Sequence, residues 1–355
     1  MLFFAPVLVS AQTVVGSVIY LEGDVSIVRQ GTILDSITFG ETVYTNDVVR
    51  TEVDSYAEVE ITGSNATGST IRVNEDSAYY VADYDVESDT RVRLLTGSIE
   101  VAVQQLRPGS RFSVQTSTAA LGVRGTTFDV ITAPDETTLL GVREGSVRLE
   151  ANGKEIDATT GTAVEAESDG DPSLQRVPNG DFNQYYTVWR ETRLAIFKSG
   201  APTFVQAYAR RYLDLIDEFH TAYQELSPYR AQLEAAVQSQ LSMGEEAMLK
   251  MEIGPALTRM RSILPIFENT VYRLRELRRF HNEGIGITTI DQMSSSDFFR
   301  DFTRQENRLV VQLSITRHIF SLYRAFDSRS FGGMPGSSMP GSSMPGSSFP
   351  GTTNF

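Results

Sequence analysis

Two hydrophobic periods divide the chain. Over residues 13–165, apolar and polar residues alternate: Glu58 and Glu60 separate Ala57, Val59 and Ile61, and Ile99, Val101 and Val103 repeat the pattern. This is the period of a strand with one buried face. Turn residues punctuate these runs at Gly23-Asp24, Gly63-Ser64-Asn65, Pro108-Gly109 and Asn152-Gly153. The last pair, between residues 147–149 and Ile156, predicts a tight hairpin. Glycine, then serine or aspartate, then a β-branched residue recurs at Gly16, Gly23, Gly97 and Gly145. Such reuse predicts stacked short strands, in either a sandwich or a short β-solenoid.

From Asp181 the period lengthens. Phe204, Tyr208, Tyr212, Leu215, Phe219, Tyr223 and Leu226 follow one another at intervals of three and four, which is one face of a helix. Ser227-Pro228 predicts an N-cap followed by a first-position proline. Leu257, Met260, Leu264, Phe267, Val271 and Leu274 form a heptad-like seam suited to self-association, and Pro265 predicts a kink or restart within it. Ser294-Ser295-Ser296-Asp297 offers another N-cap, followed by the face Leu309, Leu313, Thr316, Phe320 and Tyr323. Four or five helices are expected, as a bundle or an elongated antiparallel hairpin. Residues 166–180 read as a linker by composition. Met-Pro-Gly-Ser-Ser repeats at Met334, Met339 and Met344, a composition expected to remain disordered. The expected architecture is α+β and multidomain: an all-β region at 12–165, the linker, a helical region at 181–328 and a tail at 329–355.

Charge sharpens this division. The 355-residue chain carries a formal charge of −14. Residues 13–180 hold 27 acids against 12 bases, whereas residues 181–355 hold 18 against 19. The acidic β half repels nucleic acid and anionic lipid, which argues against DNA binding. No cysteine is present, so disulfides, thiolate nucleophiles and Cys-based zinc sites are excluded. Residues 1–10 are an apolar run, and Val9-Ser10-Ala11 matches the small-residue pattern cut by signal peptidase. A signal peptide at 1–11 is therefore expected, with a mature chain in the periplasm or secreted. The run is shorter than the ~20 residues that span a bilayer. No other stretch approaches that length, so no transmembrane segment is expected.

The most specific segment is residues 114–130, VQTSTAALGVRGTTFDV. Thr116, Thr118, Ala119, Gly122, Val123, Arg124, Gly125, Thr126 and Phe128 resemble the signature of the FecR domain. Gly141-Val142-Arg143-Glu144-Gly145-Ser146-Val147 is similar to that family's next strand-turn-strand. Gly40-Glu41-Thr42-Val43 and Asn46-Asp47-Val48-Val49 resemble its Gly-Asp-x-Val pattern. The resemblance spans roughly residues 13–165 and implies a periplasmic β domain that docks to other proteins. In the best-known members it implies relay of a signal from an outer-membrane receptor to a sigma factor. Those members have a cytoplasmic N-terminal region and a membrane helix, which this sequence does not display, so docking rather than relay is expected. Physically, Gly122 and Gly125 bracket a tight backbone turn. Phe128 and Val130 point inward and Asp129 outward. The block is either a folding device or a binding surface, with Thr116, Thr118, Gly122, Arg124, Gly125, Thr126 and Phe128 as the candidate residues.

No catalytic, cofactor-binding or metal-binding residue is singled out. His220, His281 and His318 lack a histidine partner four residues away, and His318 reads as a bundle-surface residue. No Gly-x-Ser-x-Gly elbow occurs, and Gly122 to Gly125 lacks the Lys-Ser/Thr of a phosphate loop. Asp83, Asp85, Glu87 and Asp89 read as a solvated acidic edge, with calcium binding as the sharper alternative. Arg273, Arg275, Arg278 and Arg279 form a basic cluster that is either a salt-bridged face or a site for an anionic polymer or the protein's own acidic half. The expected function is a non-catalytic cell-envelope scaffold or adaptor that binds envelope proteins and needs no cofactor. The alternatives are a peptidoglycan or envelope-glycan binding module, or a sensor component of trans-envelope signalling.

Overall fold

The computed structural model describes residues 13–331, apart from 63–65, 85–88, 105, 107, 108, 124 and 240. The expected signal peptide, the Met-Pro-Gly-Ser-Ser repeats, Asp85, Glu87 and Arg124 lie outside the described residues.

Eighteen strands precede the helices: β1 (Val14–Glu22), β2 (Val25–Arg29), β3 (Thr32–Leu34), β4 (Thr42–Tyr44), β5 (Val48–Thr51), β6 (Tyr56–Ile61), β7 (Thr70–Val73), β8 (Ala78–Tyr84), β9 (Asp89–Thr96), β10 (Ser98–Ala102), β11 (Arg111–Gln115), β12 (Ala120–Val123), β13 (Thr127–Thr132), β14 (Thr138–Glu144), β15 (Ser146–Ala151), β16 (Lys154–Thr159), β17 (Thr162–Ala166) and β18 (Ser173–Arg176). They form two nine-stranded sheets. The first has the order β18-β17-β14-β13-β10-β7-β6-β1-β4 and the second β16-β15-β12-β11-β9-β8-β5-β2-β3. The pairings are antiparallel except β9 with β11, which is parallel. A solenoid would stack its rungs in parallel, so the architecture is a sandwich.

Alternation builds the core. Val59, Ile71, Val101, Val130 and Leu140 of the first sheet meet Ile27, Val49, Val92, Val114 and Leu149 of the second in one buried cluster. Each such side chain contributes roughly 1.5–3 kcal/mol when fully buried. The expected linker at 166–180 is corrected in part. Residues 173–176 form β18, paired with β17 at the sheet edge, and Pro178–Gly180 form a 3-10 turn. An edge strand needs backbone partners on one side only, so a polar composition did not prevent pairing.

Among the described residues four helices follow: α1 (Phe182–Leu226), α2 (Tyr229–Gln238), α3 (Met243–Asn282) and α4 (Ser295–Phe331). A small hairpin, β19 (Thr289–Ile290) with β20 (Met293–Ser294), joins the last two. Asp181 caps α1 by accepting from the Gln184 backbone N–H at 3.0 Å. Ser294 caps α4 by accepting from the Asp297 N–H at 3.1 Å. Two local expectations are corrected. Ser227 is not an N-cap but follows α1 in helical geometry, and its N–H returns to the Tyr223 carbonyl. Pro265 does not restart α3, which continues through both Pro255 and Pro265. Packing against α1 and α4 outweighs the single hydrogen bond each proline removes.

The helices cover the sandwich. Val28, Val48, Ala78, Tyr80 and Leu95 project from the outer face of the second sheet into a cluster with α1, α3 and α4. Phe182, Tyr186 and Trp189, at the start of α1, cover Ile131, Leu139 and Ala163 on the outer face of the first sheet. Leu257, Met260, Phe267, Val271 and Leu274 are buried in the same helical cluster, so the seam expected to serve self-association is filled within the chain. His318 is buried rather than on the bundle surface, and its Nε2 lies 3.4 Å from Glu234. No described helix is long and apolar enough to cross a membrane.

At the centre of the covered face, Glu268 of α3 pairs with Arg317 of α4 and accepts a 3.1 Å hydrogen bond from the Tyr80 hydroxyl of β8. All three are buried. Glu268→Ala is expected to cost about 3–5 kcal/mol in urea unfolding, because Arg317 is left buried and unpaired. Glu268→Leu combined with Arg317→Met is expected to recover most of that loss.

Candidate partner-binding surface

The signature block joins β11, β12 and β13. Thr116 begins the turn after β11. Its hydroxyl accepts from the backbone N–H of Ala119 at 3.0 Å and lies 2.9 Å from the Thr138 hydroxyl. Thr118 lies 2.6 Å from the same Thr138 oxygen and donates to the Glu136 carbonyl at 3.1 Å. Thr138 belongs to β14 of the first sheet, so these threonines tie the β11–β12 turn of one sheet to the β13–β14 turn of the other. Gly125 adopts φ +62°, the left-handed conformation that favours glycine. Thr126 and Phe128 are buried. Phe128 and Val130 enter the core as expected. Asp129 leaves the sandwich on the other side but is not in solvent. It accepts from Arg143 Nε at 2.8 Å and from the Tyr186 hydroxyl at 2.7 Å. Tyr186 lies directly over Gly141, where an added Cβ would sit 1.9 Å from its hydroxyl. Burial and Asp129 both push the Tyr186 phenol up, so it stays neutral and donates.

Among the described candidate residues, Thr116 and Thr118 tie the two sheets, Gly125 turns the chain, Thr126 and Phe128 are buried, and Gly122 faces outward. It lies on the exposed face of β12, with nothing nearer to an added Cβ than the Arg148 carbonyl at 4.0 Å. It forms part of the floor of an open trough of about 800 Å³ across β9, β11, β12 and β15, which the helices leave bare. Charged pairs form its walls: Arg111 Nε to Asp89 Oδ1 at 3.1 Å and Arg148 Nε to Asp157 Oδ1 at 2.8 Å. Exposed pairs of this kind are each worth only about 0–1 kcal/mol, so a partner can exchange them readily. Ser113 and Gln115 add hydrogen-bonding groups of both kinds. Sequence reading missed Arg111, Arg148 and Asp157, because their contacts come from neighbouring strands. Asp89, read from the sequence as part of an acidic edge, is paired with Arg111 on the neighbouring strand.

The arginine cluster of α3 faces the β domain. Arg275 pairs with Glu52, Arg279 with Asp76 and Arg278 with Glu306. Arg273, fully buried, donates to the Ala133 carbonyl at 2.9 Å and pairs with Glu276. The geometry joins two of the readings of this cluster: Arg275 and Arg279 reach acids of the protein's own β half, while Arg273 and Arg278 are salt-bridged to Glu276 and Glu306 of the helices. Among the described residues no group of three or more His, Asp or Glu is arranged to hold a metal ion.

Asp47, in the stretch similar to the family's Gly-Asp-x-Val pattern, is buried beside Arg29. It accepts from Arg29 Nε at 2.9 Å and from the Tyr44 N–H at 2.9 Å, while its second oxygen has no partner. Burial outweighs Arg29 and pushes its carboxyl up to about 6.

Residues 47–148 match the family model described as FecR protein. The chain therefore contains a FecR domain, carried by the middle strands of the sandwich. Two crystal structures of a protein from Parabacteroides distasonis ATCC 8503 described as an anti-sigma factor, at 1.65 and 2.50 Å resolution, are similar in part. Each shares 17% sequence identity and a TM-score of 0.33, with 37% of this chain and 59% of theirs covered. The chain thus spans 59% of the length of those structures. No curated protein matches the chain.

Thr138→Val is expected to lower stability by about 1–2 kcal/mol in urea unfolding, since two threonine hydroxyls lose a shared partner. For Asp47, the folded state holds its proton more tightly than an unfolded aspartate, whose pKa is 3.8. Its contribution therefore stabilises the fold as pH falls from about 6 towards 4, and costs about 3 kcal/mol above that window. Between pH 4.5 and 7.5 the wild-type chain is expected to lose more unfolding free energy than Asp47→Asn, by up to about 3 kcal/mol in urea unfolding.

Proposed function

We propose that this chain is a non-catalytic cell-envelope adaptor that binds another protein through the trough on its FecR domain. The carrying observation is the asymmetry of the second sheet. Helices bury one part of its outer face, and the trough beside Gly122 stays open and lined by exchangeable ion pairs. Mixed charge of this kind suits a polar protein surface and gives specificity through pairing. The apolar run at residues 1–10 and the following Val9-Ser10-Ala11 support export to the periplasm or beyond. The FecR match favours a second reading, a sensor component of trans-envelope signalling. The glycan-binding alternative has less support: the aromatic ring in the trough lining is Phe112, which is buried and offers no face for a sugar to stack on.

The test is photo-crosslinking in cells from a reactive amino acid placed at Gln115. A discrete protein adduct is expected, weakened at least tenfold by Arg148→Glu or Gly122→Gln. Both substitutions lie on the exposed strand face and are expected to leave the thermal midpoint within a few degrees. Recovery of cell-wall material alone, or adducts indifferent to both substitutions, would remove the adaptor reading.

A further inference from the structure

We infer that the junction of the second sheet with α3 is a binding site for a small oxyanion, a carboxylate or phosphate group, held by Arg50 and Tyr272. Arg50 projects from β5 towards α3, on the same face as Val48. Its side chain is only 9% exposed. Nε reaches the Ser26 hydroxyl at 3.3 Å, and the nearest carboxylate, Glu52, is 4.0 Å from Nη2. Nη1 is buried without a partner.

The surrounding acids are already engaged. Glu52 is held by Arg275, Asp76 by Arg279 and Glu306 by Arg278. Arg50 is thus the cation in this cluster without a closely bound carboxylate of its own. Burial and the positive charge of Arg275 both depress its pKa. A buried cation whose nearest carboxylate is 4.0 Å away and already held by Arg275 is costly, and water filling the space would satisfy a hydrogen bond without neutralising the charge.

Arg50 and Tyr272 line the same cavity of about 240 Å³. The Tyr272 hydroxyl is also buried without a partner. Burial pushes its phenol up, so it remains a neutral donor. The cavity is smaller than the ~300–1,000 Å³ of drug-sized pockets, which restricts it to a compact group. Guanidinium and phenol donors together match an oxyanion, to which arginine makes its strongest hydrogen bonds.

The experiment uses the full chain, melted and titrated calorimetrically with sodium phosphate and separately with sodium acetate. Sodium chloride at matched ionic strength is the reference. One oxyanion is expected to raise the thermal midpoint saturably, by about 5 °C at a hundredfold excess over Kd. The probe that acts identifies a phosphate or a carboxylate as the ligand group. Arg50→Met is expected to abolish the shift while leaving the ligand-free midpoint equal or higher, because an uncompensated buried charge is removed. Should Arg50→Met fail to fold, Tyr272→Phe, which keeps the ring, is expected to weaken binding about tenfold. No saturable shift over chloride with either probe, an equal shift in Arg50→Met, or unchanged affinity in Tyr272→Phe would overturn the inference. The site lies apart from the trough at Gly122, so its failure would leave the adaptor reading untouched.

Discussion

The structure depends on the burial of charge between the second sheet and the helices. Glu268, Arg317 and the Tyr80 hydroxyl meet in a space closed to water. Around them, Arg275 and Arg279 of α3 reach Glu52 and Asp76 of the β half. An unpaired charge there is far more costly than a lost apolar contact, so the helices have few acceptable placements. The surplus acids of the β half thus find arginines on α3, and the sandwich and helices share one apolar cluster.

This coupling gives the FecR domain two different exteriors. Where the helices lie, the sheet presents apolar residues and buried ion pairs. Where they do not, it presents Gly122, Ser113 and charged pairs exchangeable with solvent. The first sheet is treated likewise at its outer face, where Tyr186 fits over Gly141 and bonds Asp129. A side chain at position 141 would lift the start of α1 from the sheet.

The signature block was recognisable from residues 114–130, and the family match over 47–148 agrees with it. Its physical role was not legible there. Thr116 and Thr118 act through Thr138, which is distant in sequence and belongs to the other sheet. Arg50 left a faint trace, a charged residue directly after Val48-Val49 where the strand pattern expects an apolar or small one. Asp47 was noted for its resemblance, but its burial beside Arg29 could not be read from spacing. The strand at 173–176 was hidden by a polar composition, since backbone pairing at an edge leaves no hydrophobic signature.

By itself the sequence determined the alternation that makes two-faced strands, the change to helical period near Asp181, and the N-cap before the last helix. These depend on neighbours within a few positions, where backbone geometry and side-chain spacing are set. Only the tertiary structure decided for a sandwich over a solenoid, because both use the same alternating strands and differ in which strands pair. It also turned the arginines of α3 inward, continued α3 through Pro265, and left one part of the second sheet bare. Those outcomes rest on contacts between residues far apart in the chain, and it is there that charge, burial and shape are matched.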